Sequence, residues 1–152
     1  MVLRRLLVGV IDNRADYYFR AYSMQTGNAV LNFSIGLAYL HHAFKRQSDN
    51  RHHLVLQGFS FLQNYYEARH GACSPLLKDE ANFNIGRAYH TIGLSHLAIP
   101  YYERCLSDQH QESVGVASRH FQGEAAMALQ NIWAASGNVQ KARMVTDRWL
   151  NL

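Results

Sequence analysis

The sequence is poor in proline, with only Pro75 and Pro100 in 152 residues, and its β-branched residues do not cluster. Strand-and-turn proteins need both kinds of signal, so a sheet architecture is not expected. Cysteine is also scarce. Cys73 and Cys105 are too few for a disulfide framework and are expected to be reduced thiols of an intracellular protein. Charge of one sign is nowhere dense: charged residues make up 17% and the formal net charge is +4. That excess lies in the first half, where residues 1–76 hold eight Lys/Arg against four Asp/Glu, while residues 77–152 hold seven of each. A modest basic surface of this kind suits a solvated face, a phosphate or an acidic protein partner. The apolar run Leu6–Ile11 stops at Asp12 after six residues, well short of a signal h-region or the ~20 residues of a membrane span.

Catalytic signatures are missing as well. The chain has no glycine-rich phosphate loop, no HExxH and no serine in a nucleophile-elbow context. Its nine histidines are scattered apart from His41–His42 and His52–His53, and adjacent helical residues point about 100° apart, which suits no shared metal ion. Cys73 follows His70 by three residues in a Gly-Ala-Cys-Ser-Pro turn, which lacks the supported geometry of a Cys–His nucleophile. No enzyme activity, cofactor or metal is expected.

What is abundant is apolar surface in helical register. Hydrophobic residues reach 48% and aromatics 12%, enough for a packed core in one domain's length of chain. The run Asp79–His110 reads as two short helices broken at Gly93. Phe83, Ile85, Gly86 and Tyr89 mark the first, and Ala98, Tyr102 and Cys105 the second, at three- and four-residue spacing. Gly86 and Ala98 are small where helices must approach, and Tyr89 and Tyr102 are large where space must be filled. Asp79–Glu80 are expected to cap the first helix.

The pattern recurs along the chain. Ile35, Gly36 and Tyr39 repeat Ile85, Gly86 and Tyr89, and Gly58 takes the place of Ala98. Ala15, Phe19 and Tyr22 repeat Ala98, Tyr102 and Cys105, while Gly137 repeats Gly93. This resembles the tetratricopeptide repeat, a helix pair of about 34 residues that stacks on its own copies. Departures are Asn82 at the family's tryptophan and His110 at its closing proline. The resemblance implies an all-α, right-handed α-α superhelix of about four helix pairs forming a single domain over residues 1–152.

The expected pairs are a partial repeat at residues 1–27, a repeat at 29–70 with a polar insertion at 45–51, a repeat at 79–110 and a repeat at 118–152. The helix opening the second repeat is expected to run to about Lys45, and its partner from about Arg51 to Arg69. The segment Ser107–Val116 is expected to be a polar surface loop. Met1–Ile11 is expected to form a helix with Leu3, Leu6, Leu7 and Val10 on one face. A full first repeat would begin before Met1, so the chain is expected to be a piece of a longer array with an exposed apolar end. Lys141, Arg143, Asp147 and Arg148 are expected to keep the last helix soluble.

In such a stack the first helix of each pair lines a concave surface. By spacing, that surface would carry Phe33, Leu37 and His41, then Phe83, Asn84, Arg87 and His90, then Met127, Asn131 and Ala134. Asn84 and Arg87 resemble the polar positions with which such repeats grip a peptide backbone or carboxylate. An arginine there could make bidentate, charge-assisted hydrogen bonds. A second reading places nucleic-acid contact on Lys45, Arg46, Arg51, His52 and His53. Three formal cations with Asp49 among them are thin for a duplex, and direct DNA contact is not expected. A third is an unrelated repeat adaptor of the cochaperone kind, which would need more clamp cations than Arg87.

A closer resemblance lies in Asn32–Arg69, NFSIGLAYLHHAFKRQSDNRHHLVLQGFSFLQNYYEAR, with its KRQ insertion and QGFSFL string. It continues through FNIGRAYHTIGLSHLAIPYYERCL and the Ser136–Asn138 "SGN" turn. These strings are similar to the C-terminal repeats of the large tetratricopeptide-repeat subunit of transcription factor IIIC, which acts with RNA polymerase III. The resemblance covers about Ala15–Leu152, and Met1–Asn13 matches little. It implies a nuclear scaffold that binds other transcription factor IIIC subunits and helps recruit TFIIIB, through its TFIIB-related and B-double-prime components, to tRNA-type genes.

Overall fold

The computed structural model describes residues 13–45, 50–106 and 116–150, with side chains in the first and sixth helices from Tyr17 and Phe121 onward. The face Leu3/Leu6/Leu7/Val10, Arg46 in the insertion and the connection at 107–115 lie outside the described residues. Every regular element among the described residues is helical. In chain order they are α1 (Asn13–Met24), α2 (Ala29–Ala43), α3 (Arg51–His70), α4 (Pro75–Thr91), α5 (Ser95–Cys105), α6 (Val116–Ala135) and α7 (Val139–Val145). The last helix continues into a π-helical turn, Thr146–Leu150. The chain divides into two compact units, Met1–Gly71 and Ala72–Leu152.

The first unit is built on the α2–α3 hairpin, with α1 packed on α2. Phe33 meets the Tyr65 ring at 4.9 Å, and Gly36 faces Gly58 further along, as antiparallel helices require. The two glycines let the backbones touch. A Cβ on Gly36 would sit 2.7 Å from Leu62 Cγ and 2.9 Å from the Gly58 carbonyl oxygen, and one on Gly58 would sit 3.0 Å from the Gly36 oxygen. The fully buried Ile35, Tyr39, Leu40, Leu62 and Tyr65 fill the space beside that crossing. Phe19 and Tyr22 of α1 close the cluster through edge contacts, Phe19 on Tyr39 at 6.2 Å and Tyr22 on Phe61 at 5.5 Å.

Asn28 ends the turn after α1 and caps α2. Its Oδ1 accepts from the Val30 and Leu31 N–H groups at 3.0 and 3.3 Å, satisfying donors that a helix start leaves free. Asn32 is buried, and its Nδ2 donates to the Thr26 and Asn28 carbonyls at 3.1 and 3.0 Å, tying the turn to the helix. Asn82, fifty residues on, is buried in the matching position of α4. An amide therefore stands inside both first helices where the repeat resemblance expects tryptophan.

In the second unit α4 packs on α5 and α6 on α7, and α6 also contacts α4 and α5. The Tyr102 ring lies flat against Gly86, where a Cβ would come within 2.8 Å of it. Ala98, Cys105, Ala125, Ala126 and Leu129 complete a core in which Ala98, Tyr102 and Cys105 share one face of α5, at the expected spacing. The turns inside the two pairs are alike. Gly93 and Gly137 have φ of +81° and +78°. The following N–H reaches back five residues in each, Leu94 to the Tyr89 oxygen at 3.0 Å and Asn138 to the Trp133 oxygen at 2.9 Å. This is the left-handed glycine closure of a helix C-terminus. Asn138 then caps α7 by accepting from the Lys141 N–H at 3.1 Å.

Two boundaries differ from the sequence expectation. α4 starts at Pro75 with Ser74 before it, because proline at the first helical position has a fixed, helix-compatible φ and no N–H to satisfy. Asp79–Glu80 therefore do not cap α4. Asp79 lies one turn inside it and is 2% exposed. α2 ends at Ala43 rather than Lys45.

Candidate protein-binding surface

On α4, the residues expected to line a groove divide between core and surface. Phe83 is 7% exposed, packed between the Tyr102 ring at 6.0 Å and the Phe121 ring of α6 at 5.7 Å. It is a core residue and offers a partner no open face, because α5 and α6 converge on it. Arg87, one turn later, is exposed and holds its guanidinium over the Phe83 ring at 5.7 Å. This cation–π contact orients the guanidinium. Arg87 is also close enough to Tyr102 to act on its phenol electrostatically.

Asn84 and His90 are half-buried beside this arginine, and His90 stands edge-on to the Tyr102 ring at 6.2 Å. The buried aromatic pair Phe83–Tyr102 therefore underlies two polar side chains of α4. On α6, Met127, Asn131 and Ala134 are exposed at helical spacing, with Met127 54% exposed. An arginine held over an aromatic can accept a carboxylate with little further loss of rotamer freedom.

In the first unit, Phe33 and Leu37 are half-buried and His41 is exposed. Phe33 spends its ring on Tyr65. Lys45 and Arg51 are exposed where α2 ends and α3 begins. His41 belongs to this end of the α2–α3 hairpin, in the unit that does not contain Arg87.

The Cys105 thiol lacks the exposure that chemistry needs. Burial pushes the Cys105 thiol pKa up, aided by the nearby Asp79 charge. Cys105 Sγ sits 3.5 Å from the Asp79 carbonyl oxygen inside the core. Such a thiol stays protonated and unreactive. Cys73 is exposed in the turn before α4. Among the described residues no cluster of three His, Cys, Asp or Glu could hold a metal ion. No described helix is long and apolar enough to cross a membrane.

Two features were missed by periodicity alone, one exposed and one half-buried. Phe44 and Leu56 are 50% and 70% exposed. A ladder also runs from Tyr89 to Tyr101, stacked at 5.7 Å, to the Arg104 guanidinium at 4.9 Å over Tyr101. The signal for the first was available, since Phe44 and Leu56 fall off the buried stripes of their helices.

The chain is 42% identical over 146 residues to transcription factor tau subunit sfc4 of Schizosaccharomyces pombe, an alignment covering 89% of this chain and 14% of that protein. It is 33% identical over 123 residues to the transcription factor tau 131 kDa subunit of Saccharomyces cerevisiae, covering 81% and 11%. It is 34% identical over 137 residues to general transcription factor 3C polypeptide 3 of Homo sapiens, covering 89% and 15%. The chain is a homologue of transcription factor IIIC subunits. No family model matches it. This transcription factor IIIC homologue spans 11% to 15% of the length of these three relatives.

Proposed function

We propose that this chain is a protein-interaction scaffold of the RNA polymerase III initiation apparatus, acting in the nucleus and binding other transcription factor IIIC subunits and TFIIIB components. The observation that carries the reading is the similarity to three transcription factor subunits across 81% to 89% of the chain. Helix pairs with exposed polar stripes over aromatic cores give the reading a physical means, because such pairs bind through surface rather than through a reactive centre. The proposed contacts are Asn84, Arg87 and His90 on α4 and Asn131 on α6, with Phe83 as the ring that supports Arg87. His41 is proposed as a separate contact on the first unit. Arg87 would take a partner carboxylate and Asn84 a backbone amide.

The test is a pull-down of the tagged chain from nuclear extract, read by mass spectrometry, beside an Asn84→Ala/Arg87→Glu variant. The expected result is recovery of transcription factor IIIC or TFIIIB subunits by the parent chain and at least about tenfold less by the variant, the scale of losing one buried charged hydrogen bond. Equal recovery by both would remove the α4 stripe from the proposal. Recovery of neither class of subunit would remove the scaffold reading.

A further inference from the structure

Serine or threonine stands directly before proline once in the sequence, at Ser74–Pro75. The pair opens α4. Ser74 precedes the helix with φ −96° and ψ 119°, an extended conformation, which is the one a following proline favours. Serine in such a position ordinarily accepts from a backbone N–H of the first helical turn. Asn28 and Asn138 do so at the starts of α2 and α7. The Ser74 side chain makes no such bond, so its hydroxyl is not committed to holding the helix.

The surroundings leave the hydroxyl within reach. Residues 71–74 lie between α3 and α4. Gly71, Cys73, Pro75 and Leu76 are exposed, and Ser74 itself is half-buried. Pro75 has a meaning besides starting a helix. It carries no N–H. An enzyme cleft that offers no acceptor to the residue after the serine therefore takes proline there. It disfavours the other residues, whose N–H would be buried unpaired.

We propose that Ser74 is a phosphorylation site for a proline-directed protein kinase. The Ser74 Oγ attacks the γ-phosphorus of ATP. The Oγ–P bond forms, the bond from that phosphorus to the β–γ bridging oxygen breaks, ADP leaves, and the hydroxyl proton passes to the kinase's aspartate. The phosphate then stays on the start of α4. The Lys78 N–H donates to the Ser74 carbonyl at 3.4 Å, closing the first turn. The Leu76 and Leu77 N–H groups come before that bond and have no partner within the helix. They donate to the phosphate oxygens, and the helix dipole favours the added charge. The first turn of α4 holds no acidic residue to oppose it. Modification therefore tightens the start of this helix. The proposal uses neither the α4 stripe nor the scaffold reading.

The test incubates the full chain with a cyclin-dependent and, separately, a mitogen-activated protein kinase and labelled ATP, and maps the phosphate by mass spectrometry. Incorporation at Ser74 is expected. Ser74→Ala should abolish it and Ser74→Thr should restore it. Pro75→Ala keeps the serine and should slow labelling at least about tenfold, the scale of one buried unpaired N–H. Ser60→Ala, at an exposed serine of α3, should change nothing. Circular dichroism melts confirm that each variant is folded. The phosphorylated chain should melt about 2–4 °C above the unmodified one, with slower amide exchange at Leu76 and Leu77.

No incorporation at Ser74 by either kinase, or equal labelling of Pro75→Ala, would overturn the proposal. Labelling of a peptide of residues 71–78 but not of the folded chain would also overturn it, because the fold would then hide the hydroxyl. Phosphate on Ser74 with an unchanged or lower melting temperature would contradict its seat on the start of α4.

Discussion

Tyr39 shows how closely the first unit is packed. Its ring stacks on Phe61 at 5.8 Å, yet its hydroxyl is buried without a hydrogen bond. An unmet buried polar group costs about 1–3 kcal/mol, so Tyr39→Phe should raise stability by about 1 kcal/mol in a urea melt. Burial also pushes the Tyr39 and Tyr102 phenols up to about 12. Unfolded phenols ionise near 10. Between those values the unfolded chain has lost protons that the folded chain keeps, so stability that is whole below pH 10 falls as pH rises toward 12. Melting temperature measured against pH should drop across that window, and Tyr39→Phe should make the drop shallower. An identical pH profile in the variant would contradict this account of the site.

Glycines separate by what surrounds them. Gly36→Ala would gain up to about 1 kcal/mol of helix propensity and lose more to the contacts at 2.7 and 2.9 Å, one of them backbone that cannot turn away. A net loss of about 1–2 kcal/mol is expected. Gly123, inside α6 with nothing within 4 Å, should gain about 0.5–1 kcal/mol on the same change. Paired denaturant melts of the two variants check the contrast.

At the scale of helices, start and stop signals were the more readable part of the sequence. Gly93 and Gly137 announced their turns, because left-handed backbone selects glycine directly, whereas the Asn28 cap emerged only with the structure. Asn28→Ala should cost about 1 kcal/mol and fray the start of α2, visible as faster amide exchange at Val30 and Leu31. Unchanged exchange there would show that the side chain does not hold the helix start. The start of α4 was misplaced because two capping signals competed. Acidic Asp79–Glu80 looked like a first turn, while Pro75 already supplied one. Pro75 decided the start of α4, and the burial of Asp79 reflects packing that no local signal reports. Phe83 was misplaced because its burial is likewise not reported locally. Its position on α4 is equally consistent with a groove and with a core until Phe121, far along the chain, is seen to cover it.

Across the whole molecule, the repeat spacing made the helix pairs visible in the sequence, since Gly36/Gly58 and Gly86/Tyr102 are contacts between helices close in sequence. The proposed binding surface was less visible, because it depends on which polar residues remain exposed after packing. Arg87 kept its exposure and gained a supporting ring, whereas the exposure of Phe44 and Leu56 emerged only with burial in view. The relatives supply what neither helix pattern nor surface can, namely that similar sequence occurs inside transcription factor subunits. The central claim is that the chain works with the RNA polymerase III initiation apparatus. Chromatin immunoprecipitation of the tagged chain tests it most directly. The account predicts enrichment over tRNA-type genes that falls when transcription factor IIIC is depleted. Background signal at those genes in cells that express the chain would contradict it.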